Sequence, residues 1–291
     1  MSPPSTTTAL ASVPSIDVLY DESSGPPQTA CERVYGAPLR FPKAASPYVI
    51  SDFVSTIDGV VSLGLHDGTD SAVLGGHSAA DRFVMAMLRA AADVIVVGAR
   101  TLADSVGHHW TPHALLPGAE ADFAAYRLGL GHTTALAPLV IVTASGRLPE
   151  HVALRHPATK TFVLANEGAP RTSTAPRVEW LTVPDGGRFD GLVLRTVLAE
   201  RGWNLVLCEG GPMLLGSLAG ADAIDEMFVT IAPSTAGRDA EHPRPGMIEG
   251  FAAPPDSLRQ QELVSARRAD SHLLLRYRRR ERMRSIASSS S

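Results

Sequence analysis

The sequence predicts an α/β fold: a three-layer domain with a mainly parallel central sheet and antiparallel closing strands. Two observations support this prediction. Apolar runs such as Val94-Ile95-Val96-Val97 have the unbroken hydrophobicity of strands that are covered on both faces. Segments with helical spacing separate these runs, and alternating strands and helices are typical of a layered domain with a parallel sheet. Two late strand candidates have no helix pattern between them, so they can pair antiparallel.

The amino-terminal half contains the first of these elements. Residues 1–46 are rich in Pro, Ser and Thr and predict a flexible segment, in which Ile16 to Tyr20 suit a short edge strand or a partner contact. Tyr48 to Ser55 is the first strand of the body. A Gly- and Asp-rich loop follows from Gly64 to Gly76. Ser78 suits a helix N-cap, and apolar residues then recur at helical spacing up to Ala92.

The remaining elements continue the alternation. Asp104 to Ala137 is mostly loop, with one short helix around Ala119 to Leu128. Such long loops are often functional or mobile. Further strands are expected at Leu139–Thr143, Thr161–Ala165, Val178–Val183, Asn204–Cys208, Ile224–Ala232 and Leu273–Tyr277, and further helices at Gly191–Arg201 and Pro212–Leu218.

Composition limits the class of protein. The 291 residues are 44% hydrophobic with a net charge of −4, which fits a globular protein and argues against a polyanion-binding one. No apolar run has membrane-spanning length, and the amino terminus lacks a secretory pattern, so we expect a cytoplasmic protein. The two cysteines cannot form a Cys-rich zinc site, and Cys208 suits a core position better than a nucleophile.

Domain boundaries follow from the same composition. We expect a flexible amino-terminal segment at 1–46, one ordered domain at 47–280 and a disordered tail at 281–291. The arginines from Arg276 to Arg284 read as a solvated strand that runs into this tail. They have no interleaved aromatic residues or known nucleic-acid motif, so we expect no nucleic-acid partner.

The sequence Cys208-Glu209-Gly210-Gly211-Pro212 carries the strongest functional signal. It places two glycines between a buried strand and a helix that opens with proline. Free N–H groups at a helix N-terminus suit a bound phosphate, and glycines let it approach the backbone. An ordinary strand-to-helix turn would use the same residues, so this motif alone leaves both readings open.

A second turn, Gly98-Ala99-Arg100-Thr101, ends another buried strand and favours the phosphate reading. Together the two turns would form a split cradle for a dinucleotide. A weaker third signal is the turn at Ser145, Gly146 and Arg147, where hydroxyls and an arginine suit the 2′-phosphate of NADP. The Rossmann fingerprint Gly-x-Gly-x-x-Gly is absent, so a dinucleotide would have to bind through another fold.

These motifs resemble a known family when they are taken in order. Thr56-Ile57-Asp58-Gly59, Asp81-Arg82-Phe83 with Leu88-Arg89, Asp93 to Gly98 with Thr101, Glu209 to Pro212, and Ile224-Asp225-Glu226 with Thr230 to Pro233 follow one another at family-like spacing. Together they resemble the reductase domain of riboflavin biosynthesis, the RibD C-terminal family, in a stand-alone form without a deaminase domain. The resemblance covers roughly Tyr48 to Tyr277 and implies the dihydrofolate reductase-like fold.

The resemblance implies a function and a set of site residues. It implies an NADPH-dependent reductase that transfers hydride directly to a pyrimidine ribosylamino phosphate, and it suggests a homodimer. Asp58 and Glu209 would be catalytic, and Asp81 and Arg89 would bind the small-molecule substrate. The cofactor-binding residues would be Gly98, Thr101, Ser145, Gly210, Gly211, Pro212, Met213, Leu214 and Leu215. We expect no bound metal.

Three of these side chains also have a plain structural alternative. Asp58 can be an Asx-turn residue before Gly59, and Asp81 can be a helix first-turn aspartate. Arg89 can be a surface helix residue paired with Asp93. Glu209 is harder to explain structurally, because a carboxylate beside two glycines has little use in packing. The late apolar strand from Met227 to Ile231 could form a dimer contact.

The chain also departs from the family pattern. It lacks the His-x-Glu and Pro-Cys-x-x-Cys signature of the zinc deaminase, so we expect no deamination. After Thr101 it lacks the Asp-Asp-Pro sequence that is usual in the family, and it lacks the downstream arginine that helps to hold the substrate phosphate there. His108 and His109 can replace that contact or can simply be solvated. A reductase of dihydrofolate or another pterin, or a non-catalytic nucleotide-binding module, therefore remains an alternative.

Overall fold

The structure is a computed structural model that describes residues 8–44, 46–173, 175, 177–183 and 189–280. Within these residues, ten strands form one sheet in the order β1-β9-β10-β8-β2-β7-β3-β4-β5-β6. The strands are β1 (Asp17–Asp21), β2 (Tyr48–Thr56), β3 (Val94–Gly98), β4 (Leu139–Thr143), β5 (Thr161–Ala165), β6 (Val178–Thr182), β7 (Leu205–Cys208), β8 (Glu226–Ala232), β9 (Gln261–Ala269) and β10 (His272–Arg279).

The sheet is mixed in the way that the sequence predicts. The strands from β8 through β2, β7, β3, β4 and β5 to β6 are mutually parallel. Strands β10, β9 and β1 then close the sheet through antiparallel pairs. Because seven strands run in one direction, their carboxyl ends lie along a single edge, which is where open α/β sheets bind ligands. The predicted fold class is confirmed.

Helices cover both faces of this sheet. They are α1 (Thr8–Ala11), α2 (Ala30–Tyr35), α3 (Asp70–Leu74), α4 (Ala79–Ala91), α5 (Ala99–Asp104), α6 (Pro112–Leu115), α7 (Glu120–Gly129), α8 (Gly191–Glu200) and α9 (Pro212–Gly220). Helices α2, α4 and α7 contribute to the apolar core on one face, and α8 and α9 contribute to the core on the other. The sheet therefore forms the middle of three layers.

Local signals in the sequence explain the elements that frame the site. The Ser78 hydroxyl accepts a hydrogen bond from the N–H of Asp81, so Ser78 caps α4 as predicted. The Val94–Val97 run is buried within β3, since parallel strands are covered on both faces. The predicted strands at Leu139–Thr143 and Thr161–Ala165 match β4 and β5 residue for residue.

The structure also contains elements that the periodicity does not predict. The loop from Gly64 to Gly76 includes α3, the long loop after Asp104 includes α6, and α5 begins directly after Gly98. These helices have four to six residues, which is too short to repeat a helical pattern. Strand β9 is missed because charged residues interrupt its apolar alternation.

The described part of the amino-terminal segment folds against the body, where the composition predicts a flexible segment. Strand β1 pairs with β9, in keeping with the edge strand predicted at Ile16 to Tyr20. A complete capping box holds α2, and Leu10, Cys31 and Tyr35 are buried in the core. Buried apolar anchors therefore order a chain whose overall composition is polar. The predicted tail at 281–291 lies outside the described residues.

Two further expectations concern partners. The strand from Met227 to Ile231 lies inside β8, which pairs with β2 on one edge and β10 on the other. A contact with a second copy would therefore have to use a face of β8. Among the helices in the described ranges, none has both the length and the apolarity needed to cross a membrane.

Candidate active site

The carboxyl ends of β3 and β7 meet at the edge of the sheet. A Cβ atom added to Gly210 would lie 2.6 Å from Val97 Cα and 2.8 Å from the backbone nitrogen of Gly98. Such distances are well inside van der Waals contact, so only glycine fits this position without a backbone shift. The sequence-predicted pair of turns is thus brought together in space, with Gly98 beside Gly210.

Gly211 turns the chain from this contact into α9. Its φ of +73° lies in the region that favours glycine, and Pro212 opens the helix. Gly211 is the N-cap residue and has no side chain that could accept from the first N–H groups of the helix. These donors, together with the positive end of the helix dipole, suit an anion. A Cβ atom on Gly211 would lie 3.0 Å from the Thr101 hydroxyl, so Thr101 borders the same space.

The other residues that were predicted to bind the cofactor differ in which of their atoms a ligand can reach. The Met213 side chain is 64% exposed beside the helix N-terminus, whereas Leu214 and Leu215 are packed in the core. Leu214 therefore offers only its backbone N–H to a ligand, and the N–H of Leu215 already donates to the Gly211 carbonyl oxygen at 3.1 Å. Ser145 is exposed just beyond β4, the strand next to β3, and its hydroxyl accepts a hydrogen bond from the N–H of Arg147. It lies at the same edge of the sheet, one strand away from Gly98.

On the opposite side of these turns, Arg89 of α4 and Glu209 form a buried ion pair. Arg89 Nε donates to Glu209 Oε1 at 2.7 Å, and Nη2 donates to Oε2 at 2.6 Å. The two side chains are only 1% and 5% exposed. This is the bidentate geometry that an arginine fork forms with a carboxylate. The structure therefore rules out the alternative in which Arg89 lies on the surface.

Every N–H of the Arg89 guanidinium is engaged. Its Nη1 donates to the carbonyl oxygens of His109 and Thr111, at 3.1 and 3.2 Å. Its Nη2 also donates to His108 Nε2 at 2.9 Å. A guanidinium has five N–H donors, so none is left for the substrate that Arg89 was expected to bind. Asp93, the alternative partner, instead accepts from the backbone N–H groups of Asn204 and Leu205.

The His108 ring and the His109 carbonyl oxygen are part of this network, and both histidines are partly buried. Burial, together with the nearby Arg89 charge, lowers the pKa of His108 to about 3, so its ring is neutral and accepts from Arg89. The ring also packs edge-on against Trp110, with centroids 4.9 Å apart. The His109 ring lies 5.0 Å from that of His156. The loop that departs from the family pattern thus holds Arg89 in place.

Asp58 occupies a different place from Glu209. It lies in the turn after β2, exposed, and accepts from the backbone N–H groups of Ala236 and Gly237 at 3.0 and 2.7 Å. Hydrogen bonds from Thr56 and from these two amides hold the pKa of Asp58 well below its usual range. The carboxylate therefore ties the β2 turn to the 234–238 loop and is a poor proton donor.

Asp81 lies in the first turn of α4 and is also buried. Burial raises the pKa of its carboxyl, while a hydrogen bond from Thr230 and the nearby His272 act in the opposite direction. Asp81 is thus both a first-turn aspartate and a buried carboxyl that faces β8 and β10. Glu209, through its contact with Arg89, and Asp81, within α4, therefore lie on the α4 side of the sheet.

Sequence analysis missed one residue of this group, Asp52. It lies in the middle of β2, is 7% exposed, and has a buried Oδ2 atom without a hydrogen-bond partner in the structure. Burial first, and then the charges of Asp81 and Glu209, raise the pKa of Asp52 well above its usual range. An aspartate at an inward position of an apolar strand was the signal that could have identified it.

Cys208 and possible metal ligands complete the description. Cys208 is fully buried in the core, as predicted, and burial raises the pKa of its thiol to about 12. In the part of the chain that the structure describes, no three His, Cys, Asp or Glu side chains are grouped as metal ligands.

Comparison with known proteins identifies relatives of the chain. The model of the RibD C-terminal domain matches residues 47–274. The riboflavin biosynthesis protein RibD of Escherichia coli K12 is 30% identical over 103 residues, which are 35% of this chain and 28% of that protein. The chain thus aligns with well under two thirds of this curated relative.

Solved structures share the fold. A pyrimidine reductase-like protein from Corynebacterium diphtheriae superposes with a TM-score of 0.60 at 20% identity, over 87% of this chain and 100% of that one. A Thermotoga maritima diaminohydroxyphosphoribosylaminopyrimidine deaminase/5-amino-6-(5-phosphoribosylamino)uracil reductase superposes with a TM-score of 0.57 at 18% identity. That match covers 81% of this chain and 57% of the other.

Proposed function

This chain belongs to the RibD C-terminal domain family, and from that membership we propose that it is an NADPH-dependent reductase. Its substrate in this proposal is the pyrimidine ribosylamino phosphate of riboflavin biosynthesis, as in the reductase named for the Thermotoga maritima relative. The family assignment confirms the resemblance on which the sequence analysis relied. It also makes hydride transfer the reaction to explain.

The observation that carries the proposal is the contact between the two turns. Gly98 and Gly210 lie against each other, and no Cβ fits on Gly210. Gly211 then presents the uncapped N-terminus of α9 next to Thr101. A nicotinamide dinucleotide needs a phosphate-binding helix end and an open backbone beside it, so the residues present fit the cofactor.

Specific groups would hold each part of NADPH. The backbone N–H groups of Gly211, Met213 and Leu214 would bind the pyrophosphate, since Pro212 has no N–H. The Thr101 hydroxyl would donate to a neighbouring phosphate or ribose, and the exposed Ser145 turn would bind the 2′-phosphate together with Arg147. When bound, NADPH supplies the hydride, while the chain supplies alignment and an electrostatic environment.

Glu209 would face the substrate in a fixed orientation. Its two oxygens are held by Arg89, which is itself held by the His108 and His109 loop. A fixed carboxylate beside the glycine turns suits an N–H group of a pyrimidine ring, because an ionised carboxylate only accepts hydrogen bonds. We therefore propose that Glu209 orients the ring and that Arg89 positions Glu209.

One observation favours a second candidate, a reductase of a pterin ring such as dihydrofolate. The Arg89 donors are all used within the protein, so Arg89 offers nothing to a substrate phosphate. An unphosphorylated heterocycle would not need such a contact. Buried carboxyl groups such as Asp81 would suit the ring N–H groups of either substrate.

The test is NADPH oxidation with the deaminated pyrimidine ribosylamino phosphate and dihydrofolate as separate substrates. Turnover on the pyrimidine supports the main proposal, and turnover on dihydrofolate alone supports the second candidate. Gly211→Asp places a negative charge at the N-terminus of α9 and should weaken NADPH binding at least tenfold. Gly202→Asp is the matched control, because Gly202 has a similar φ of +71° but precedes β7 at the opposite edge of the sheet.

We also propose a cytoplasmic homodimer, in keeping with the family. Light scattering after size-exclusion chromatography would give the mass directly. A mass near the chain's own 30.7 kDa would exclude the dimer under those conditions.

A further inference from the structure

The orientation of Glu209 depends on the segment of chain at residues 105–111, which follows α5. The carbonyl oxygens of His109 and Thr111 in this segment accept hydrogen bonds from Arg89. Arg89 in turn donates to both carboxylate oxygens of Glu209. Whatever holds the 105–111 segment in place therefore also positions the Glu209 carboxylate.

A histidine from another part of the chain, His151, holds the start of the 105–111 segment. His151 follows β4 and is 8% exposed. Its Nε2 atom lies 2.7 Å from the carbonyl oxygen of Ser105. The same oxygen accepts from the backbone N–H of His108 at 3.0 Å. His151 is thus joined to the point from which the chain turns towards Arg89.

The backbone fixes which nitrogen of the His151 ring carries the proton. The N–H of Ala153 donates to His151 Nδ1 at 3.2 Å, so Nδ1 must offer a free lone pair. In the neutral ring the proton is then on Nε2, from which it is donated to the Ser105 carbonyl oxygen. The Nε2–H tautomer satisfies both contacts, and the ring bridges two backbone groups that lie far apart in the sequence.

The Trp110 ring gives His151 a second contact with the segment. Trp110 is 4% exposed, and its ring centroid lies 5.8 Å from that of His151 and 4.9 Å from that of His108. Aromatic pairs at such distances are stabilising. Arg89 Nη2 donates to His108 Nε2 at 2.9 Å, so a row of three packed rings leads from His151 to the guanidinium. His151 therefore reaches Arg89 through the backbone at Ser105 and through this row of rings.

We propose that His151 is a positioning residue of the reductase. It fixes the 105–111 segment, and through Arg89 it fixes the orientation in which Glu209 meets the substrate. This inference rests on the proposed function, in which Glu209 orients the substrate ring. It adds to that function a residue outside the motifs that relate the chain to its family, and His151 acts through other residues without having to touch the substrate or the cofactor.

The decisive variant is His151→Phe. It keeps a ring against Trp110 but can neither donate to Ser105 nor accept from Ala153. Because a misplacement of about 1 Å can lower a rate by about 10²-fold, we expect kcat/KM to fall by about 10–10²-fold on whichever substrate the wild type reduces. The dissociation constant of NADPH should be unchanged, because the proposed pyrophosphate donors lie at the start of α9.

Two further variants separate positioning from general stability. His151→Gln can donate an N–H to the Ser105 carbonyl oxygen, so it should recover most of the lost kcat/KM. Tyr126→Phe is the matched control, because the fully buried Tyr126 ring of α7 also donates to a backbone carbonyl oxygen, that of Leu39, at 3.1 Å. Loss of that hydrogen bond should lower stability and leave kcat/KM unchanged.

A second readout does not depend on turnover. The Nε–H of Arg89 is bonded to Glu209 at 2.7 Å and is almost closed to solvent, so its proton should exchange slowly with water. NMR spectra of the nitrogen-labelled protein measure this exchange, and the signal is identified by its absence from Arg89→Lys. The exchange should be faster in His151→Phe and should keep its wild-type rate in Tyr126→Phe.

The outcomes distinguish the positioning role from the proposed function. A His151→Phe variant with wild-type kcat/KM and wild-type exchange overturns the role of His151 while the proposed reductase stands. Equal losses in His151→Phe and His151→Gln, together with weaker NADPH binding, also overturn it, because they indicate general disruption of the fold. A wild type that reduces neither substrate overturns the proposed function, and the exchange rates alone then decide whether His151 fixes Arg89.

Discussion

Arg89 and Glu209 are joined by two parallel hydrogen bonds of 2.7 and 2.6 Å in a site that is almost closed to solvent. The two residues are 120 positions apart and come from different elements, α4 and the end of β7. Their contact therefore ties a helix to the edge of the sheet where the glycine turns lie. It fixes Glu209 before any ligand arrives, and this preorganisation is what an active-site carboxylate needs.

Removing one member of this pair should destabilise the fold strongly. Arg89→Met leaves the Glu209 carboxylate buried without a partner, and breaking a buried pair in this way costs about 3–5 kcal/mol. Urea unfolding at pH 7 measures the loss. The double variant Arg89→Met/Glu209→Leu removes both charges and should recover much of it.

An exposed pair is the control for that experiment. Arg155 and Glu150 lie 3.5 Å apart with both side chains largely exposed. Arg155→Ala should cost less than about 1 kcal/mol, because solvent screens surface pairs. If Arg89→Met and Arg155→Ala lowered the free energy of unfolding equally, the buried pair would contribute no more to stability than the exposed one.

Sequence reasoning predicted the parts of the fold that follow from burial. Strands such as β3, β4 and β5 are covered on both faces, so their apolar runs are unbroken and easy to recognise. Strand β9 was missed because Arg267 and Arg268 interrupt its pattern, although Arg267 is buried against the Tyr35 ring. An arginine buried by a distant aromatic residue leaves no local signal.

The candidate site could be outlined from the sequence for a similar reason. Glycines at strand ends carry a local signal, so Gly98, Gly210 and Gly211 were found together with Thr101. Partners across the sheet carry none, since the contact of Arg89 with Glu209 depends on which strands and helices become neighbours. Asp52 was missed because its significance comes from the unpaired Oδ2 and the adjacent carboxyl groups, which appear only after folding.

Gly210→Ala should disrupt the contact between the two turns. The added Cβ would meet Val97 Cα at 2.6 Å, so the backbone of β3 or β7 would have to shift. Overpacking of this kind costs about 1–3 kcal/mol. Gly98→Ala is a matched control, because its Cβ would lie 3.5 Å from the Gly210 carbonyl oxygen, an ordinary contact. Thermal unfolding of both variants tests this, and equal melting temperatures would contradict the assigned packing.

The stability of Asp52→Asn relative to the wild type should increase as pH rises. Burial raises the pKa of Asp52 in the folded state, so its neutral form contributes stability that is fully present below the unfolded pKa of about 3.9. That contribution is lost as pH rises through the folded pKa. Asparagine does not titrate, so the free energy of unfolding of the variant should rise relative to that of the wild type as pH increases above the unfolded pKa. Each kcal/mol gained raises Tm by about 2–4 °C. A difference in Tm that stays constant with pH would contradict the raised pKa.

Asp93→Asn should show the opposite dependence on pH. Hydrogen bonds from His132, Leu205 and Asn204 outweigh burial and lower the pKa of Asp93, so its ionised form contributes stability above the unfolded pKa. That contribution disappears as pH falls through the lowered folded pKa. At pH 7 the free energy of unfolding of the variant should be about 1 kcal/mol lower than that of the wild type, because hydrogen bonds to a charged acceptor are stronger than those to a neutral one. The loss should shrink towards pH 3 in urea titrations, whereas a loss that grows at acid pH would reverse the assigned sign.

Neither Cys31 nor Cys208 should react with iodoacetamide in the folded protein at pH 8. Both thiols are fully buried, and burial raises the pKa of Cys208 to about 12 and that of Cys31 further still. The thiolate is the reacting species, and at pH 8 almost none is present at either site. Mass spectrometry should therefore find no adduct on the native chain and two adducts after unfolding in urea. Rapid labelling of Cys208 alone would mean that β7 opens beside the glycine turns, and it would contradict the rigid cradle on which the proposed cofactor site depends.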